Sequence, residues 1–114
     1  MSKDINVSTS QANDVVFIDI QGDITAVTGE VVKEAYGADN VTNSPMILLR
    51  FAKDCYINSG GLAFLIDIAS EGRKKGQKIS ATGLSDHFQK IFHMVGLTRC
   101  ISLFATEEEA MNNF

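Results

Sequence analysis

Hydrophobic positions along this chain follow two alternating spacings, one of strands and one of helices. Val15-Val16-Phe17-Ile18-Asp19-Ile20 is β-branched and apolar, the composition of a strand. Met46-Ile47-Leu48-Leu49-Arg50-Phe51 is nearly continuous in its apolar character, which fits a strand covered on both faces. Lys78 to Gly83 and Cys100 to Phe104 read as further strands, and Ile5-Asn6-Val7-Ser8 alternates weakly enough to suggest a short edge strand. Between them the spacing becomes helical. A stripe of Val27, Val31 and Ala35, with Val32 beside it, predicts a helix from about Thr25 to Gly37. Leu62, Leu65, Ile66 and Ala69, broadened by Phe64 and Ile68, predict a second from about Ser59 to Lys75, ended by Gly76. Ser85 caps a third with Phe88, Ile91, Phe92 and Val95 on its apolar face and Gly96 as its stop. Thr106-Glu107-Glu108-Glu109 is a capping box that opens a terminal helix. Residues 11–14 read as a turn, Gln21-Gly22-Asp23 as a break, and residues 38–45 as a loop.

Strands that alternate with helices imply parallel pairing, right-handed crossovers and helices packed on the sheet. The β–β start adds an antiparallel edge. The expected fold is α/β, a small mixed sheet of four to five strands flanked by about four helices, in a single domain over residues 1–114. A hydrophobic content of 45% without low-complexity tracts suits such a core rather than disorder.

Charge and chemistry narrow the function. The formal net charge of −4 argues against a nucleic-acid binder, whose affinity rests on clustered Lys and Arg. The basic run Arg73-Lys74-Lys75 falls at a helix C-terminus, where cations offset the dipole. No apolar run approaches the roughly 20 residues that span a bilayer, and the polar start is unlike a signal peptide, so a cytoplasmic protein without membrane contact is expected. Cys55 and Cys100 lie in apolar surroundings and read as buried free thiols. His87 and His93 are six apart on one helix, a spacing that does not bring two metal ligands to one face. Ser59 lacks the Gly-x-Ser-x-Gly context of a nucleophile elbow, and Gly60-Gly61 lacks the Gly-Lys-Ser/Thr of a P-loop. Asp19, Asp23 and Asp54 sit near strand ends, where carboxylates can converge on Mg²⁺ in a phosphoreceiver, but no acidic pair closes the first strand and no lysine the last. Neither enzyme chemistry nor a cofactor is expected.

What remains is the segment Asn58-Ser59-Gly60-Gly61, between the central strand and the longest predicted helix. A helix N-terminus carries unpaired N–H groups and a partial positive charge, both favourable to an anion. A hydroxyl beside two small residues there is a good place for a phosphate and for a protein that detects it.

Three segments together carry a family resemblance: Val16-Phe17-Ile18-Asp19-Ile20-Gln21-Gly22-Asp23-Ile24, Ile57-Asn58-Ser59-Gly60-Gly61-Leu62-Ala63, and Phe88-Gln89-Lys90-Ile91-Phe92-His93-Met94-Val95-Gly96-Leu97. The chain resembles the STAS domain, the anti-sigma factor antagonist family, from about Asp14 to Met111. The resemblance implies a non-enzymatic partner-switching protein. Its partners would be a GHKL-type serine kinase that doubles as an anti-sigma factor and a PP2C-type phosphatase. Phosphorylation at the start of the second helix would block the first interaction. The common motif of the family is Asp-Ser-Ser/Thr-Gly-Leu, with the second hydroxyl residue as acceptor. Here Asn58 stands at the Asp, Ser59 at the first Ser and Gly60 at the acceptor, which leaves Ser59 as the phosphorylation candidate or as an N-cap only. Thr25 stands where an Asp is frequent, with Asp23 near it. The expected partner surface comprises Asn58, Ser59, Gly60, Gly61, Ala63, Asp67, Asp23 and Thr25. An unphosphorylated scaffold of the same fold and a small-anion or nucleotide sensor are the alternatives.

Overall fold

The computed structural model describes residues 5–114. Strands β1 (Ile5–Ala12) and β2 (Val15–Ile24) form a hairpin, followed by α1 (Gly29–Gly37) and the one-turn helix α2 (Asp39–Thr42). Next come β3 (Met46–Phe51), the two-residue β4 (Tyr56–Ile57), α3 (Ser59–Lys75) and β5 (Lys78–Thr82). The chain ends with α4 (Asp86–Met94), a 3₁₀ turn (Leu97–Arg99), β6 (Ile101–Phe104) and α5 (Glu107–Asn112). The sheet order is β1-β2-β3-β5-β6, with β1 antiparallel to β2 and the other pairs parallel; β4 adds to the far end of β2. The expected α/β class and mixed sheet are therefore present, with one extra two-residue strand and two extra helical turns, α2 within the expected loop 38–45 and the 3₁₀ turn at Leu97–Arg99.

Strand periodicity sorts the side chains into two cores. Val16, Ile18 and Ile20 of β2 and Ile47, Leu49 and Phe51 of β3 join Val32, Tyr36, Leu65, Ile68 and Phe92 in the main core, under α1, α3 and α4. The alternate residues Val15, Phe17 and Leu48 meet Ala110 on the opposite face, where α5 covers them. The continuous apolar run of β3 is thus explained by burial on both sides. Beyond α5 that second face turns polar. Arg50 there donates to Asp19 through Nη2 (2.8 Å) and to Glu107 through Nη1 (2.8 Å), and its guanidinium lies 4.3 Å from the Phe17 ring centroid. This pairing ties the start of α5 to the sheet.

Several local expectations are corrected. The turn in the first hairpin is only Asn13-Asp14, so β1 runs on to Ala12. Gln21-Gly22-Asp23 does not end β2: Gly22 takes a φ of +114°, which glycine tolerates, and the strand continues to Ile24. The first helix starts at Gly29 instead of Thr25. Its buried residues are Gly29, Val32 and Tyr36, while Val27 is 74% and Val31 41% exposed. The Val27–Val31–Ala35 stripe is therefore not the core stripe. On α3 the boundaries agree with expectation, but Ile66 is exposed, and on the α4 side Val95 is exposed too. Cys55 is buried and Cys100 half-buried, both as free thiols. Among the described residues no helix is long and apolar enough to cross a membrane.

Candidate functional site

The end of β2 and the beginning of α3 are stitched together by short-range contacts. Asp23 and Ile24 pair with Tyr56 and Ile57 in parallel register. The chain then turns, and the Asn58 amide donates to the Ile24 carbonyl (3.1 Å). Asn58 is extended, with its Oδ1 accepting from the Gly61 N–H (2.9 Å), which makes it the N-cap of α3. Ser59 is the first residue of the helix and is exposed. The N-cap expectation for Ser59 is corrected here. Asn58 has the extended backbone that a cap requires, whereas Ser59 is already helical, so the capping bond is made by Asn58. Asn58→Ala is expected to cost about 1 kcal/mol and lower Tm by about 4 °C, with Asn58→Asp retaining stability, as read by thermal melts followed by circular dichroism.

The two glycines that follow are required by close approaches of the chain. A Cβ on Gly61 would lie 2.0 Å from the Ile24 carbonyl oxygen. One on Gly60 would lie 2.8 Å from the Ala26 Cβ and 3.0 Å from the Ala26 nitrogen. The first turn of α3 therefore rests directly on the chain that leaves β2. A hydroxyl residue at position 60 has no room unless Ala26 moves.

That exit segment is ordered by its own threonines. Thr25 Oγ1 accepts from the Val27 and Thr28 amides (3.1 and 3.2 Å), and Thr28 Oγ1 accepts from the Thr25 amide (2.8 Å) while donating to the Asp23 carbonyl. The half-buried Thr25 hydroxyl is thus committed to a turn, and α1 cannot begin until this turn is complete. A Thr-x-x-Thr spacing is the sequence signal that marks this turn, and its hydroxyls compete with helix for the backbone.

The remaining predicted residues fall where helical spacing puts them. Ala63 is one turn beyond Ser59 and Asp67 two turns beyond, all on one exposed stripe. Asp67 pairs with Lys33 of α1 at 3.5 Å, both side chains well exposed. Asp23 is exposed at the end of β2. Sequence reasoning missed Val27 and Tyr56. Val27 projects from the Thr25–Thr28 turn, and Tyr56, 52% exposed, packs its ring edge-on against Phe88 at 5.8 Å. Ala26, which meets the Gly60 position, and the exposed Ala63 one turn along α3 are the apolar residues placed beside Ser59.

The competing chemistry is not assembled. Asp19 is engaged by Arg50, its side chain on the α5 face of the sheet, and among the described residues no three His, Cys, Asp or Glu side chains cluster as a metal site. Asp54 is exposed in a turn. Burial, and then the negative charges of Asp23 and Asp54, push the Cys55 thiol up to about 11, which keeps it protonated and unreactive near neutral pH. His93 Nδ1 lies 3.3 Å from the Thr98 hydroxyl on the outer surface.

Comparison with known proteins identifies the family and the fold. The STAS domain family model matches residues 6–110. The chain is 27% identical over 100 residues to the anti-sigma-B factor antagonist of Listeria monocytogenes serovar 1/2a (strain ATCC BAA-679 / EGD-e), covering 88% of each chain. The fold is similar to that of an anti-sigma factor antagonist from Mycobacterium paratuberculosis, with a TM-score of 0.80 and 19% identity over 99% of this chain and 96% of the other. It is also similar to the anti-sigma factor antagonist SpoIIAA in its unphosphorylated form (TM-score 0.72, 17% identity, 95% of both chains). The phosphorylated form of the Bacillus cell fate determinant SpoIIAA matches with a TM-score of 0.68 and 18% identity, over 95% of this chain and 98% of that one.

Proposed function

The chain belongs to the STAS domain family, and from that premise we propose that it is a cytoplasmic, non-enzymatic anti-sigma factor antagonist controlled by phosphorylation of Ser59. In its unmodified form it binds a GHKL-type serine kinase that also serves as the anti-sigma factor. The partner contacts Asn58, Ser59, Gly60, Gly61, Ala63 and Asp67, together with Asp23 and the Thr25 turn. A PP2C-type phosphatase restores the binding-competent form.

One observation carries this reading. Asn58 takes over the capping role, which leaves Ser59 exposed, with its hydroxyl outside the helix start, on the first residue of a 17-residue helix. A phosphate there meets the positive end of the α3 dipole, so the fold accepts the modification. The small residues Gly60, Ala63 and Ala26 suit a closely packed protein surface, which does not accept the same charge.

The test is to incubate the protein with a GHKL-type serine kinase from the same organism and ATP, then map the modified residue by mass spectrometry. Phosphate on Ser59 is the expected result. Either of two results would overturn Ser59 as the switch: phosphate on Thr25, which would move the switch there, or phosphate on no residue while kinase binding persists, which would leave an unmodified scaffold.

A further inference from the structure

We propose that β1 is a self-pairing edge, through which two copies of this chain join their sheets antiparallel about a two-fold axis. An unpaired strand edge presents a row of free N–H and C=O groups, and proteins that do not use such an edge blunt it with short strands, charges, proline or bulges. The β6 edge is blunted by length, being four residues long. The β1 edge has none of these protections. It spans eight residues, six of them exposed, in an unbroken register from Ile5↔Gly22 to Ala12↔Val15. It contains no proline and no charged residue, although the chain as a whole carries −4. Two copies can therefore meet along this strand without like charges on it facing one another.

The hairpin geometry shows which groups are on offer. The closing pair of a two-residue turn is hydrogen-bonded, and bonded and non-bonded pairs alternate from there. Asn6, Ser8, Ser10 and Ala12 thus bond to β2, while Ile5, Val7, Thr9 and Gln11 direct their backbone groups outward. Apolar surface flanks this row. Ile5 and Val7 are only partly buried against the main core. On α1, Gly29 meets Phe64 and Lys33 meets Asp67, so that side faces α3. Val31 and Ala35 lie on the opposite side of the helix, which packs over β1, and Val31 is 41% exposed. Joining two copies would cover this strip as well as the edge.

The occupant is a second copy because antiparallel pairing has two-fold symmetry, so a strand complements itself and no foreign sequence is needed. Since α1 stands between β1 and α3, the paired form leaves both Ser59 positions uncovered.

Sedimentation velocity over a broad concentration range tests the proposal on the full chain. Wild type is expected to show a concentration-dependent monomer–dimer equilibrium. Thr9→Pro removes an outward N–H from each copy without touching a β1–β2 bond, and is expected to weaken the dimer by about tenfold or more. Thr9→Lys, an exposed change that keeps the ladder, is expected to act in the same direction by adding like charges to an edge that carries none. Thr9→Val is expected to leave dimerisation intact. Unchanged far-UV circular dichroism and melting of Thr9→Lys show that the fold is kept. A wild type that stays monomeric at every concentration, or a dimer that survives both Thr9→Pro and Thr9→Lys, would overturn the proposal. Loss of kinase binding in these variants of a strictly monomeric protein would do the same, and would assign the edge to a partner's strand.

Discussion

Gly61→Ala is expected to cost about 3 kcal/mol of folding stability and lower Tm by about 12 °C. The added methyl would lie 2.0 Å from the Ile24 carbonyl oxygen. That carbonyl accepts the Asn58 amide at 3.1 Å, so it cannot swing aside without giving up the bond that joins the end of β2 to the start of α3. Relief must come from moving backbone, which is far costlier than moving a side-chain tip. Gly37→Ala is the internal control: nothing lies within 4 Å of its Cβ position, and the same change in the last turn of α1 is expected to be neutral or slightly stabilising. Thermal melts of both variants under identical conditions check the pair. A Gly61→Ala protein that melts within about 2 °C of wild type would mean that the chain crossing beneath α3 is looser than these distances require.

Ser59 phosphorylation is expected to weaken kinase binding by roughly 30- to 150-fold, the equivalent of a loss of 2–3 kcal/mol. The modification adds about −1.5 to −2 charges at neutral pH. On the free protein that charge is solvated and favoured by the α3 N-terminus, so Tm is expected to stay constant. In the complex the same charge must leave water beside Ala26 and Ala63, whose side chains offer no donor in exchange. Ser59→Asp, with about half the charge, is expected to weaken binding by about tenfold, and Ser59→Ala is expected to bind as wild type. Isothermal titration calorimetry of the three forms, with melts run alongside, separates a switch from a fold defect. Equal affinities for Ser59→Asp and Ser59→Ala would place the interface elsewhere.

Gly60 is the reason the proposed switch is assigned to Ser59. A Cβ there would crowd Ala26, so the acceptor common in the family fits only if Ala26 moves, and the hydroxyl that the motif retains is one residue earlier. The motif in the sequence already showed that Gly60 replaces the usual acceptor. It could not show that Ala26, 34 residues earlier, is what excludes a side chain there.

The same division holds across the fold. The strand β3, the bounds of α3, and the Ser85 and Thr106 caps of the last two helices were all legible, because each depends on residues adjacent in the chain or one helical turn apart. The structure bears out both caps, with Ser85 accepting from the Phe88 amide and Thr106 from the Glu109 amide. The first helix was misread because Val27, Val31 and Ala35 have helical spacing, while the Thr25–Thr28 hydroxyl turn delays the helix to Gly29 and rotates Val32 and Tyr36 inward. The two-residue strand β4 exists only because Gly22 lets β2 run on far enough to pair with it.

Periodicity and capping chemistry by themselves determined that this chain makes an α/β sheet with a hydroxyl at the start of its longest helix. Tertiary structure alone decided that Asn58 caps the helix while Ser59 is exposed, that Ala26 crowds the Gly60 position, and which strand edge is left open. The physical reason is range. Helix starts and strand faces follow from neighbours a few residues apart, whereas exposure, steric exclusion and edge pairing depend on segments brought together from distant parts of the chain.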